Sequence, residues 1–432
     1  MANDFKSIGI NEELENLLKK NGITTPTPVQ EQAIPLLLKG RDVIAQAYTG
    51  TGKTFAFMLP IMQNIDVSKP YIQSLIITPT RELAIQITNE AKNLAILKDV
   101  SILAAYGGQD VERQLRKLNN GVHMVIGTPG RILDHLRRGS LDLGHLSTLV
   151  LDEADEMLNM GFLADVEDIM YKTPKRRQTM LFSATMPGPL RDLATKYMKD
   201  PAQIQIQGEN VTLDEIKQVV IETTDRGKLD ALCNIIDQQQ PFMAIIFCRT
   251  KNRVKSLNWD LRTRGYNSEE IHGDLSQSKR EQVIKSFRKM EIQLLVATDI
   301  AARGLDIEGI THIFNYDIPR EGESYIHRIG RTGRAGESGM AFTFVTEKDM
   351  DTLRSIEKKI DMNIKASKLS NERVGRKKDK DKSEKPVGKA KPAKKKPDFS
   401  KGKEWGPKKK SFGSKNTKKT FSKTNNKRGG RG

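Results

Sequence analysis

The stretch "AYTGTGKT", residues 47–54, places a lysine and a threonine behind two spaced glycines, directly after the apolar run "DVIAQ" (42–46). Glycines let backbone N–H groups turn toward phosphate oxygens. A lysine there reaches the β- and γ-phosphates, and the next hydroxyl binds Mg²⁺. Lys53 and Thr54 are therefore the candidate phosphate and magnesium residues, within a loop made of Ala47, Tyr48, Thr49, Gly50, Thr51 and Gly52. A glycine-rich strand–helix turn with no ligand satisfies the same pattern. The first loop position is Ala47 where glycine is usual, and nothing in the sequence accounts for the bulk of Tyr48.

Phosphoryl transfer needs a second half: a carboxylate for the metal and a group that positions the attacking water. "TLVLDEAD" (148–155) offers both at the end of an apolar run. Asp152 is placed to hold Mg²⁺ through water, and Glu153 to orient or deprotonate the nucleophile. An acidic helix cap explains such a run taken alone; the lysine in the same domain argues for chemistry.

These residues need strand ends to hold them. The runs 42–46, 74–78, 123–127, 148–151 and 179–183 are rich in Val, Ile and Leu, and each precedes a helix-compatible stretch. A weaker run, 202–206, suits an edge strand. Near-continuous apolar strands alternating with helices imply a parallel sheet covered on both faces. The series restarts at 217–223 and continues through 243–248, 267–273, 292–298, 311–316 and 340–345. The expectation is two α/β domains, residues 1–207 and 215–366, joined by a linker at 208–214. From residue 367 the apolar periodicity ends, and 367–432 reads as a disordered tail, too poor in apolar groups to offset ordering entropy.

Charge is concentrated in that tail. Residues 371–432 hold 24 Lys and Arg against 6 Asp and Glu, which equals the whole formal net charge of +18; the other 48 basic and 48 acidic residues balance. A basic tail on a neutral body points to a polyanion. Phe399, Trp405, Phe412 and Phe421 lie among its lysines, a composition that stacks on bases while cations follow phosphates. Two cysteines without metal spacing suggest a reducing compartment, and the acid-bearing N-terminus is not a secretory signal. No apolar run reaches membrane-spanning length. The expected setting is cytoplasmic, with no membrane partner.

Asp152-Glu153-Ala154-Asp155, with further motifs in order over about residues 5–346, resembles the DEAD-box family of ATP-dependent RNA helicases. The resemblance implies two tandem RecA-like domains, ATP and Mg²⁺ as cofactors, and RNA held by its backbone without strong sequence specificity. "GITTPTPVQ" (22–30) is similar to the family's adenine-reading segment, with Gln30 on the adenine edge and Phe5 stacked on the ring. Ile23 and Val29 depart from the commonest pattern but stay apolar.

"YIHRIGRTGRAG" (325–336) resembles the arginine-finger motif. It implies that Arg331 and Arg334 reach ATP from the second domain. His327 joins the catalytic set by linking this motif to the DEAD and "SAT" (183–185) segments. Asp155, Ser183, Thr185 and Arg328 are the expected coupling residues. Gly304 and Asp306 of "VATDIAARGLD" (296–306) are placed near the nucleotide, and Arg303 in the cleft. The implied RNA contacts are Pro79, Thr80 and Arg81; Gly107 and Gly108; Thr128, Gly130 and Arg131; then Arg249, Gly273, Arg280 and Thr298. The resemblance also points to cold shock and stress response, and to ribosomal precursors or the RNA-decay machinery as partners. Two other readings stay open: an ATP-locked RNA clamp without unwinding, and a DNA translocase of the same superfamily.

Overall fold

A computed structural model describes residues 4–47, 50–108, 110–206, 216–305, 307, 309–333 and 339–367. Tyr48, Thr49, Asp306, Arg334, the linker 208–214 and the basic tail beyond residue 367 lie outside the described residues.

The first sheet contains β1 (Val43–Gln46), β2 (Ser74–Ile77), β3 (Ile102–Ala105), β4 (Met124–Gly127), β5 (Thr148–Leu151), β6 (Gln178–Ser183) and β7 (Ala202–Gln205). Their order is β3-β4-β2-β5-β6-β1-β7, with every pair parallel. The second contains β8 (Ile216–Glu222), β9 (Ala244–Cys248), β10 (Ser268–Ile271), β11 (Leu294–Thr298), β12 (His312–Asn315), β13 (Gly339–Val345) and β14 (Lys365–Ser367). Their order is β10-β11-β9-β12-β13-β8-β14, again all parallel. Apolar clusters cover both faces of each sheet, which explains why central strands such as β2 and β9 read as unbroken apolar runs.

Two strands depart from the sequence expectation. β3 is only "ILAA", too short and alanine-rich to stand out, and it survives as an edge strand beside β4. β14 carries the second sheet through Ser367, one residue past the boundary placed at 366. The weak run at 202–206 does form the expected edge, paired with β1.

Parallel topology sends every strand's C-terminal end to the same rim, where open α/β sheets bind ligands. The phosphate loop follows β1, the DEAD segment β5, and "SAT" closes β6, the strand between them. The loops after β2, β3 and β4 carry "PTRELA", "GG" and "TPGR". One close approach fixes this rim. A Cβ on Gly127 would sit 2.2 Å from the Ala105 carbonyl oxygen on the adjacent strand. Gly127→Ala should destabilise the first lobe by about 1–3 kcal/mol, the usual cost of overfilling a close-fitted site; a thermal melt reads this as a lowered midpoint.

Candidate nucleotide and RNA site

The helix Lys53–Asn64 starts straight out of the phosphate loop, and Gly50 and Gly52 take φ of 87° and 88°, a region glycine occupies without strain. The Lys53 ammonium donates to the Ala47 carbonyl at 2.9 Å, across the mouth of the loop. Gln30 buttresses it from behind. Its Oε1 accepts from the Thr27 N–H at 2.9 Å, and its Nε2 donates to the Gly52 carbonyl at 2.9 Å. Each amide group keeps one further lone pair or N–H for a base edge. A Cβ on Gly52 would lie 2.5 Å from that Nε2, so the contact itself demands glycine.

Phe5 is placed differently from expectation. Its ring is fully buried in the first-lobe core with Ile8 and Ile10, leaving no open face for a base to stack on. A phenylalanine so near a binding segment is equally suited to be its support.

Asp152 and Glu153 leave β5 at the same rim, both buried. Burial pushes the Asp152 carboxyl up to about 7; the Lys53 ammonium opposes that rise and the Glu153 charge adds to it. A buried anion so destabilised calls for a cation. Its oxygens, with the Thr54 hydroxyl on the same cavity wall, form the hard donor set that suits Mg²⁺ with phosphate oxygens. Glu153 holds φ of 50°, left-handed for a non-glycine residue. Such strain costs about 1–3 kcal/mol and gathers at functional sites.

Asp155 turns inward. Its Oδ2 accepts from the Thr185 N–H at 2.8 Å and the Thr185 hydroxyl at 3.0 Å, while its own N–H donates to the Ser183 hydroxyl at 3.1 Å. The "SAT" segment and the DEAD segment are thus locked together within the first lobe. The link to the second lobe runs through the next residue, Glu156. It meets the His327 Nδ1 at 2.7 Å through one oxygen and the Arg303 Nε at 2.8 Å through the other, the latter a charge contact without an aligned N–H.

Further contacts close the same seam. Arg280 places its Nε and Nη2 each 2.8 Å from Glu82 Oε1, and its Nη1 donates to the His272 carbonyl at 3.2 Å. In this arrangement the buried guanidinium expected to contact RNA is engaged by Glu82 as a lobe-to-lobe bond. Arg81 donates to Gln277 at 3.4 Å, and its guanidinium covers Gly107. Gly108 lies so close to Gln277 that a Cβ would sit 2.9 Å from it. Gly304, at φ 69°, lies so close to the first lobe that a Cβ would sit 2.5 Å from the Thr80 hydroxyl. Gly304→Ala adds both a clash and backbone strain. It should lower RNA-stimulated ATP hydrolysis by about tenfold or more while nucleotide binding to the first lobe persists, read by parallel turnover and equilibrium-binding assays.

Arg331 reaches the first lobe's cleft. A cavity of about 190 Å³ is walled by Gly50, Gly52, Lys53, Thr54, Asp152 and Glu153 on one side and by Gly304 and Arg331 on the other. The Arg331 Nη1 is anchored on the Leu305 carbonyl at 3.0 Å. Arg328, expected to couple the lobes, instead organises the second one. It pairs with both Asp299 oxygens at 2.5 and 2.8 Å, donates to Asn315 at 3.1 Å and to the Asp317 carbonyl at 2.7 Å, and stacks over Phe247.

The remaining RNA candidates sit at strand ends. Pro79 and Thr80 follow β2, and the Thr80 hydroxyl caps the helix Arg81–Leu94 by accepting from the Leu83 N–H at 3.2 Å. Thr128 and Gly130 open the helix Pro129–Arg137, and Gly130 has open space beside it. Arg131 is held by Gln114 Oε1 at 3.2 Å; that oxygen is also 2.8 Å from the His135 Nε2. Arg249 is exposed after β9, its N–H on Asp317 at 2.9 Å. Gly273 has open space after β10, and Thr298 ends β11. Sequence reasoning missed Glu82, Gln114, Glu156 and Gln277. An isolated Glu or Gln has no periodic or spacing signature; Glu82 and Gln277 lay inside the segments "PTRELA" (79–84) and "QSKR" (277–280) that carry Arg81 and Arg280, while Gln114 and Glu156 had no marker.

Two parallel-sheet lobes with a phosphate cradle on one and an arginine from the other define a two-lobed nucleoside-triphosphatase. Residues 27–193 match the DEAD/DEAH box helicase family, and residues 227–336 match the helicase conserved C-terminal domain. The chain is 49% identical over 354 residues to the DEAD-box ATP-dependent RNA helicase CshA of Geobacillus kaustophilus, covering 82% of this chain and 76% of that protein. It superposes on S. cerevisiae Dbp5 bound to RNA and ADP BeF3 with a TM-score of 0.77 at 31% identity, covering 85% of this chain and 96% of that one. Mss116p bound to ssRNA and AMP-PNP gives 0.78 at 31% identity, covering 84% and 78%. The chain belongs to the DEAD-box family of ATP-dependent RNA helicases.

Proposed function

We propose that this helicase couples ATP hydrolysis to closure of its two lobes around an RNA strand, bending that strand and releasing its partner over short duplexes or in RNA–protein complexes. The observation that carries the reading is the cavity wall shared by Lys53, Asp152 and Glu153 with Arg331 of the other lobe. Lys53 and the loop amides hold the phosphates, Gln30 with its segment reads adenine, and Glu153 orients and accepts a proton from the attacking water. Arg331, together with Arg334, offsets charge on the transferring phosphoryl group. Thr54 and Asp152, on the same cavity wall, would hold Mg²⁺, which would supply neutralisation of phosphate charge. Gly304 and Asp306 line the nucleotide from the second lobe.

Glu156, His327, Arg303, Glu82 and Arg280 act as the closure latch. RNA backbone contacts come from the loops after β2, β3 and β4 and from Arg249, Gly273 and Thr298, which fix position and read no sequence. On the family likeness we place the work in the cytoplasm, on structured RNA of the kind met in cold shock, ribosome assembly and RNA decay.

A strand-displacement assay on a short RNA duplex, run beside RNA-stimulated ATPase, tests the reading. ATP-dependent release supports it, and ATP-dependent retention without release overturns the unwinding step. Arg280→Ala should reduce both rates by roughly tenfold: truncating one partner of a buried charge pair is costly, but an open form returns Glu82 to water. ATP affinity of the variant should be unchanged.

A further inference from the structure

The opposite rim of the first sheet, where β1, β5 and β6 begin, holds a second cavity of about 740 Å³ that the ATPase cycle does not use. Arg177 lines it and is only 6% exposed. Its Nη1 donates to the Pro174 carbonyl at 3.0 Å, yet Nε and Nη2 are buried without a hydrogen-bond partner among the described residues. Those two nitrogens form one edge of the guanidinium fork, the edge that grips a phosphate or carboxylate through two parallel hydrogen bonds.

The nearby acids are already engaged. Both oxygens of Asp42 accept backbone N–H groups, from Thr179 at 2.8 Å and Lys199 at 2.7 Å. Asp200 pairs with Arg41 at 3.3 Å, and Asp66 with Lys69 at 3.2 Å. Arg176 and Lys199 stand exposed on the same wall and make no ion pair among the described residues. The site thus keeps an excess of cation around a buried, half-bonded guanidinium. Tyr71 and His145 also line the cavity, their rings packed against each other with centroids 4.6 Å apart and inclined by 30°.

We propose that this cavity binds a mononucleotide unit, with its phosphate on the Arg177 fork flanked by Arg176 and Lys199, and its base beside the Tyr71–His145 pair. The unit is either a free nucleoside monophosphate or the 5′-phosphorylated end of an RNA. Since the cavity lies at the far rim from the ATP cleft, its occupant does not compete with ATP.

The test is calorimetric titration of GMP and of guanosine into the full chain with its ATP cleft saturated by AMP-PNP, Mg²⁺ and a 5′-hydroxyl RNA. GMP should bind, and guanosine at least about tenfold more weakly. Arg177→Gln, and separately the exposed pair Arg176→Ser with Lys199→Ser, should weaken GMP by about ten- to a hundredfold, the range expected of hydrogen bonds to charged groups. RNA-stimulated ATPase should be unchanged in both. Should Arg177→Gln fail to fold, the exposed pair carries the test. A 5′-phosphorylated oligonucleotide that outcompetes GMP identifies an RNA end as the source; one that does not identifies the free nucleotide. Equal binding of GMP and guanosine, or undiminished GMP affinity in the exposed-pair variant, overturns the proposal.

Discussion

Glu153→Gln should lower RNA-stimulated ATP turnover by about 10²- to 10⁴-fold, the usual contribution of a positioned general base, while ATP still binds. Glu153 leads from β5 into the helix Ala154–Asn159, borders the cavity, and holds a left-handed φ of 50°. Gln keeps the shape and the hydrogen-bonding reach but accepts no proton. The lobe should therefore stay folded and Gln30 and Lys53 should still hold the nucleotide. Single-turnover hydrolysis beside equilibrium ATP binding separates the two effects. Loss of binding with no change in the chemical rate would assign Glu153 to architecture instead.

Arg331→Ala should be the more damaging change, about 10³- to 10⁵-fold in turnover, the range found for arginine fingers. Its guanidinium is anchored on the Leu305 carbonyl and walls the cavity that Lys53 and Asp152 wall from the other lobe. Removing it leaves the cradle, the carboxylates and the latch intact, so the effect should fall on turnover and not on RNA affinity. Arg331→Lys should recover little, because an ammonium offers a point charge where the fork offers two directed donors.

Much of this could be read from residues that carry strong local chemistry. The Gly-Lys-Thr after β1 and the Asp-Glu after β5 are short-range signals, and parallel strands bring them to one rim wherever they lie in the chain. The apolar runs marked most strands because both faces of each sheet are buried. β3 escaped because "ILAA" at an edge needs little apolar bulk, and β14 because three residues are too few to show a strand period.

The side chains that lie otherwise than expected share one cause: the surroundings of each depend on what faces it across space. Arg280 was legible as a cation, but Glu82 lies 198 residues away in sequence and decides its use. Phe5 was legible as an aromatic near the adenine segment, but tertiary burial sets it in the core. Glu156 had no marker at all, since a lone acid after Asp155 resembles any first-turn glutamate until His327 and Arg303 are seen against it.

The central claim is that RNA and ATP together bring the second lobe onto the first. Tyr171 and Trp259 are exposed, one on each lobe, and the native Cys233 and Cys248 are buried, so Tyr171→Cys with Trp259→Cys accepts a donor–acceptor dye pair. Energy transfer between them should shift to one closed-state value only when single-stranded RNA and a non-hydrolysable ATP analogue are both present, and Arg280→Ala should reduce the closed fraction. A transfer efficiency that is the same with neither ligand, with either alone and with both would contradict the account.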